Sequence, residues 1–165
     1  MTVKTADLCD ARDDAQACRA NFVSWGRRRA FEGMIRTVTC RGEIGLIRQV
    51  VAQPGEACVL VIDNGGALDC AVFGDAMAGQ VLRNSWSGVV IHGVIRDVAE
   101  IDAMQIGVKA LGTYPRRGAL AGGGQVDVPV TFGDVTFVPG AWVVADEDGV
   151  VVVSDRPAPA AGRPR

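Results

Sequence analysis

Asp75, Arg96, Asp97 and Glu100 stand at a spacing that chemistry can use. Arg96 carries a permanent cation with a fork of donors, suited to a carbonyl oxygen that becomes anionic. Asp97, with waters and substrate oxygens, suits a hard divalent cation, Mg²⁺ first and Mn²⁺ second. Glu100 falls one helical turn after Asp97, on the same face, where it can support that cation from further out. Gly74 allows close backbone approach, and free amides of Gly74, Asp75, Ala76 and Met77 at a helix start can hold a carboxylate or phosphate. A plainer reading uses the same residues: Arg96 and Asp97 as an exposed ion pair, Asp75 as an ordinary helix-start carboxylate. Spacing alone leaves both open.

These residues lie in FGDAMAGQVLRNSWSGVVIHGVIRDVAE, Phe73 to Glu100. A strand is expected to end at Gly74-Asp75, a helix to follow, and a second strand to end at Arg96-Asp97. Twenty residues separate Asp75 from Arg96. A helix of about 12 residues descends about 18 Å, and about seven strand residues climb back about 23 Å. The return brings Arg96-Asp97 to the sheet edge that holds Gly74-Asp75. In open α/β sheets, ligands bind at that edge, outside the carboxyl ends of the strands.

The rest of the chain supplies the frame. Leu8, Ala11, Ala15 and Cys18 predict an amphipathic helix from Thr5 to about Ala20, with Thr5 as its N-cap. Strands are predicted at Met34–Cys40, Ala57–Asp63, Asp69–Phe73 and Gly88–Ile95. Helices are predicted at Glu43–Gln53, from Asp75 to near Trp86, and at Val98–Met104, with Asn64-Gly65-Gly66 as a turn. From Val108 the chain turns β-rich: Val108–Tyr114, Gln125–Phe132, Val135–Val138, Trp142–Ala145 and Val150–Val153. Val126, Val128, Val130 and Phe132 alternate onto one face, and Asp146, Glu147 and Asp148 read as a hairpin turn. The expectation is one α/β domain over residues 1–154 with more than one sheet layer. The Pro- and Arg-rich tail, 155–165, is expected to be disordered.

Composition narrows the function. The chain has 165 residues, 48% of them apolar and 22% charged, which supports one globular core. No apolar run approaches the roughly 20 residues of a membrane span, and Met1–Asp10 is too polar for a secretory signal. A cytoplasmic protein is therefore expected. Net charge is −2 with no basic block, which argues against direct nucleic-acid binding. Five cysteines without a C-x-x-C pair argue against a disulfide framework and a zinc site. Cys40, Cys58 and Cys70 read as core residues, and His92, the sole histidine, as a packed strand residue. Trp25, Trp86 and Trp142 read as packing. Only Lys4 and Lys109 among 17 basic residues are lysines, so lysine-imine chemistry is disfavoured.

The chain resembles the RraA family, which takes its name from the regulator of ribonuclease activity A and includes the 4-hydroxy-4-methyl-2-oxoglutarate aldolases. The similarity runs from about Ala6 to Val153. It includes ADLCD at 6–10, VLVIDNGG at 59–66, VVIHGVIRD at 89–97, IGVKALGTYPRR at 106–117, VTFGDVTFVPG at 130–140 and DEDGVVV at 146–152. The family's aldolase motif D-x20-R-D-x2-E/D is present entire as Asp75, Arg96, Asp97 and Glu100. The resemblance implies a layered β/β/α sandwich of the swivelling-domain type, assembled as a homotrimer or hexamer with sites at subunit interfaces. It implies the amides of Gly74 to Met77 on a pyruvoyl carboxylate, Arg96 on the keto oxygen and Asp97 on the divalent metal. Asp75 would orient a water on that metal or move a proton.

Those roles define a reaction. Breaking the C–C bond beside a 2-keto group leaves its electrons on a pyruvate enolate, which Arg96 and a metal stabilise in place of a lysine imine. The expected activity is metal-dependent cleavage of 4-hydroxy-4-methyl-2-oxoglutarate to pyruvate, with oxaloacetate decarboxylation through the same enolate. Arg116 and Arg117 are candidate contacts for a distal carboxylate, a solvated turn being the simpler expectation. Longer aldolases of the family take a metal-contacting glutamate from a neighbouring subunit's C-terminal extension. This sequence ends in PAPAAGRPR, where no counterpart is expected. One alternative is a non-catalytic protein regulator of ribonuclease E, which the intact motif disfavours. Another is an S-adenosylmethionine-dependent methyltransferase, from the glycine loop in VLVIDNGGAL at Val59–Leu68; no helix is predicted after its glycines, which makes the signal weak.

Overall fold

The computed structural model describes residues 2–159. The chain runs α1 (Thr5–Ala11), β1 (Gln16–Ala17), β2 (Val23–Trp25), β3 (Phe31–Thr39), α2 (Gly45–Val51), β4 (Val59–Asp63), α3 (Asp75–Arg83) and β5 (Gly88–Ile95). It continues through α4 (Val98–Asp102), β6 (Val108–Thr113), β7 (Gln125–Val126), β8 (Val130–Phe132), β9 (Val135–Phe137), β10 (Trp142–Ala145) and β11 (Val150–Val153).

The sheet curls at β3. Phe31–Met34 pair antiparallel with β10, whereas Ile35–Thr39 pair in parallel with β4. The order is β1-β11-β10-β3-β4-β5-β6-β2, with β7 also on β3 and β8–β9 as a separate hairpin. The run β3-β4-β5-β6 is parallel, and β4 and β5 are apolar along nearly their whole length because both faces are covered. On one face, Leu60 and Ile91 share a core with Ile47 of α2, Val81 of α3 and Ile101 of α4. On the other, Ile35, Val61 and Val90 pack against Phe132, Phe137, Val143 and Val152 of the β8–β9 and β10–β11 pairs. The result is the mixed α/β, layered β/β/α domain expected. Fully buried side chains such as Leu60 and Ile91 each contribute about 1.5–3 kcal/mol relative to exposure. No helix among the described residues is long and apolar enough to cross a membrane.

Four local expectations change. The first helix stops at Ala11; Asp13 and Asp14 form a turn, Arg12 pairs with Asp14 at 2.8 Å, and Gln16–Ala17 join β11 as a strand. Thr5 is inside that helix rather than capping it, because its amide and hydroxyl are taken by Asp146 at 2.8 and 2.7 Å. Asp69–Phe73 is not a strand: only Ala71 forms bridges, to Val94 and Arg117. Gln125–Phe132 is broken at Asp127, whose φ is 55° and whose carboxylate binds Arg36 at 3.0 Å. Val126 therefore packs in the helix-side core while Val130 and Phe132 pack in the other. Short β2 carried no periodicity to read. Of the segment expected to be a disordered tail, 155–159 are described: Asp155 pairs with Arg12 at 2.7 Å, Arg156 lies over Trp142 and Pro157 is buried. Residues 160–165 lie outside the described residues.

Candidate active site

Helix α3 begins at Asp75, with Gly74 as an N-cap that has no side chain to offer the first amides. A helix start leaves its first N–H groups without partners in the helix. Asp75 N donates to Asp97 Oδ2 at 3.3 Å, while the amides of Ala76 and Met77 donate to no group among the described residues. Met77 is buried and anchors the turn in the core, and Ala76 and Met77 both line the cleft.

Strand β5 delivers the partners. Arg96 N donates to the carbonyl of Phe73 at 3.0 Å, which fixes the end of β5 beside the start of α3. Asp97 follows in the left-handed conformation, φ 58° and ψ 38°, as the N-cap of α4. That conformation costs a non-glycine residue about 1–2 kcal/mol, and it persists where the surroundings over-determine it. Here the Asp97 carbonyl accepts from Ile101 N at 3.0 Å, and its Oδ2 lies 3.7 Å from Arg96 Nε. Both side chains are about one-third exposed, at 38% and 35%, so they face water and a ligand alike.

One cleft gathers these groups. It holds about 410 Å³ of free space open to solvent, and Gly74, Asp75, Ala76, Met77, Arg96 and Asp97 all line it. Glu100 does not; it is exposed on α4, away from the lining. Arg48 and Arg117 complete the rim. Arg117 was one of two arginines expected on a solvated turn, and Arg116 stays outside. Arg48 carried no sequence signal, since a single arginine on an amphipathic helix looks like any solvated charge. No lysine lines the cleft; Lys109 is buried in β6, where burial pushes its amine below the ordinary lysine range.

The polar cluster at the end of β4 is committed to structure. Asp63 Oδ1 accepts from Gly65 N and meets His92 Nδ1, both at 2.9 Å, while the His92 ring stacks on Phe132 at 4.4 Å. Asn64 accepts from Gly42 N at 2.8 Å and lies between Cys40 and Cys70. Burial pushes the Cys40 thiol up to about 12, with Asp63 and Cys70 adding to the effect. Cys70, read from sequence as core, is half-buried: it packs against the helix-side core and also lines a broader groove here.

The cleft fits a divalent cation in one way only. Among the described residues no group of three or more His, Cys, Asp or Glu side chains forms a metal cage. The cleft does offer hard oxygen, with one Asp97 oxygen occupied by Asp75 N and the other taking no hydrogen bond among the described residues. Mg²⁺ is held in that manner, through one or two carboxylates with water and substrate completing the shell.

A layered β/β/α domain with helix-start amides, an arginine and a carboxylate at the strand ends defines the class. Residues 5–152 match the family model described as RraA-like, Aldolase/RraA, and the chain belongs to that family. A relative from Aromatoleum aromaticum, named "Putative 4-hydroxy-4-methyl-2-oxoglutarate aldolase", is 45% identical over 92% of this chain and 96% of its own. One from Xanthomonas campestris pv. campestris with the same name is 44% identical over 93% of each. Among solved structures, the RNA-processing inhibitor RraA from Thermus thermophilis superposes with a TM-score of 0.93 at 35% identity, covering 98% of both chains. A Geobacillus kaustophilus structure described as an S-adenosylmethionine:2-dimethylmenaquinone methyltransferase gives 0.90 at 44% identity, covering 93% of this chain and 96% of that one.

Proposed function

We propose that this protein is a divalent-metal-dependent pyruvate aldolase of the class that works without an imine. It cleaves 4-hydroxy-4-methyl-2-oxoglutarate to pyruvate and decarboxylates oxaloacetate. The observation that carries the reading is the convergence of two free amides, Arg96 and Asp97 in one cleft that no lysine lines. The names of the relatives at 44–45% identity point the same way.

The residues divide the work. The amides of Ala76 and Met77 bind the pyruvoyl carboxylate at the positive end of α3. Arg96 donates to the keto oxygen and strengthens that bond as the oxygen becomes an enolate. Asp97 would hold the divalent cation, which when bound would supply further positive charge against the negative charge that develops on the substrate. Asp75 takes the 4-hydroxyl proton, directly or through a water, as the C3–C4 bond breaks and its electron pair moves onto the pyruvoyl fragment. Proton return to that fragment's methylene carbon completes pyruvate. Oxaloacetate loses CO₂ to reach the same enolate with no hydroxyl proton to remove. The cytoplasmic homotrimer or hexamer that the family resemblance implies is part of this proposal.

The methyltransferase reading has less to stand on. A Cβ on Gly66 would lie 3.0 Å from His92 Nε2, so that glycine accommodates a packed imidazole, and the residues after it lead to the Ala71 bridge rather than a helix. The test is pyruvate release from both substrates with Mg²⁺ and with excess chelator, Asp97→Ala running beside the wild type. Chelator-sensitive turnover lost in Asp97→Ala is the expected result. No turnover by folded, metal-supplied protein would overturn the proposal, and the non-catalytic ribonuclease regulator would then lead.

A further inference from the structure

Strand β5 carries an extra residue. Ile91 faces Ala110 of β6 and Val94 faces Gly112, so three steps on β5 oppose two on β6. Bulges of this kind are rare between parallel strands, and they re-aim the side chains that follow. Drawn flat, the strand would set Gly93 opposite Gly112 and move every later residue on by one. Ile95 would then stand where Arg96 stands, and Arg96 where Asp97 does. The bulge thus fixes which residues of β5 reach the cleft.

It also marks a change of partner. Up to the bulge β5 pairs with β4, the last pair being Asp63 with His92. Beyond it, Ala71 bridges Val94, Val72 N donates to the Val94 carbonyl at 3.1 Å and Arg96 N to the Phe73 carbonyl at 3.0 Å. The segment that takes over is the one that runs into Gly74 and Asp75. Arg96 and Asp97 meet the start of α3 because β5 changes partners at His92–Gly93.

The turn after β4 holds the bulge in place. The Asn64 and Gly66 amides both donate to the His92 carbonyl at 3.1 Å. Asp63 Oδ1 meets His92 Nδ1 at 2.9 Å, and because a carboxylate only accepts, the ring nitrogen is the donor. The same oxygen takes the Gly65 amide, so the imidazole is tied to the turn that holds its own carbonyl. A Cβ on Gly93 would lie 3.1 Å from Asn64 Cβ, a close approach of the kind that glycine marks within a strand. Neither Asp63 nor His92 lines the cleft.

We infer that His92, held by Asp63, is a positioning residue: it pins the bulge and so sets Arg96 and Asp97 against the start of α3. For its catalytic consequence the inference rests on the pyruvate-enolate reading of the site. The amides of Ala76 and Met77 belong to α3, so the pair governs the group on the keto oxygen and not the group on the carboxylate. Its loss is therefore felt in turnover more than in substrate binding.

The test joins oxaloacetate decarboxylation, with Mg²⁺ present, to amide hydrogen exchange read by mass spectrometry, which reports the pairing on each side of the bulge. His92→Phe keeps a ring against Phe132 and removes the bond to Asp63, and Asp63→Ala removes it from the other strand. In both, kcat is expected to fall at least tenfold with KM little changed. Exchange over 71–73 and 94–97 is expected to quicken at least tenfold, while 59–62 and 89–91 stay protected. His92→Gln, whose amide can donate to Asp63, should recover part of both effects. Unchanged kcat in the folded variants overturns the inference, as does exchange that quickens evenly along β5 or not at all. Wild type that releases no pyruvate, beside variants that show the local exchange, instead removes the enolate reading and leaves the hold on the bulge standing.

Discussion

Gly74 leaves the room in which the Asp97 carboxylate sits: a Cβ on residue 74 would lie 2.6 Å from Asp97 Oδ2. The φ of Gly74 is −147°, an extended value open to any residue, so the requirement comes from the neighbour and not from the backbone. Gly74→Ala is expected to push the Asp97 carboxylate aside and cut kcat/KM at least tenfold. Stability should fall by no more than about 2 kcal/mol, because the carboxylate can swing toward water. Steady-state kinetics and urea unfolding check both halves; full activity would mean that Asp97 need not hold this position.

Asp97 itself separates charge from conformation. Asparagine tolerates the left-handed region and still accepts a hydrogen bond from Asp75 N, whereas alanine does neither. Asp97→Asn should stay within about 0.5 kcal/mol of wild type and Asp97→Ala should lose about 1 kcal/mol or more, with both losing chelator-sensitive turnover. An active asparagine variant would remove the Asp97 charge from the chemistry.

Asp146 ties the first helix to the β10–β11 hairpin. Burial by itself would raise its pKa, but hydrogen bonds from Thr5, Asp148 and Gly149 outweigh it and hold the carboxyl below its ordinary value. A carboxyl lowered in the fold stabilises it fully above its unfolded pKa, about 3.9, and less as pH falls through the folded value. Asp146→Asn is therefore expected to cost about 1 kcal/mol at pH 7, a difference that narrows in acid below about pH 4. Urea midpoints across that range provide the check; a pH-independent difference would contradict it.

The five thiols should label in an order set by burial. Cys9 is exposed, Cys40 and Cys58 are buried, and Cys40 has its thiol pushed up to about 12. The thiolate is the reactive form, so at pH 8 a disulfide reagent should modify Cys9 first. Cys40 should react only on unfolding. Mass spectrometry of timed samples reads the order, and early labelling of Cys40 would mean that the β3 end opens in the native state.

The strongest sequence signals came from segments buried on both faces. Gly88–Ile95, Trp142–Ala145 and Val150–Val153 are strands over the expected residues, because continuous apolar runs bounded by glycine or acidic turns admit little else. The meeting of Gly74-Asp75 with Arg96-Asp97 was legible from chain geometry, though Ala71 bridges take the place of the strand once expected there. Single tertiary contacts were not legible. Nothing local marks Ala71 as the residue that hydrogen-bonds on both sides of Arg117, and nothing local marks Asp127 as the left-handed residue that breaks the alternation and pairs with Arg36. Short strands such as Gln16–Ala17 exist through their partner, β11, and have no pattern of their own.

The division of β3 between two partners also bears on how the chain acquires its shape. Phe31–Met34 pair with Trp142–Ala145 of β10, far along the chain. Closing so long a loop is entropically costly before any contact repays it, which makes folding slow and late. During synthesis, β3 and β4 can pair while the edge of Phe31–Met34 still stands open, a ready template for another strand. Any nascent or truncated chain that ends before Trp142 keeps that edge exposed, and is open to edge-to-edge association until the β10–β11 hairpin is made.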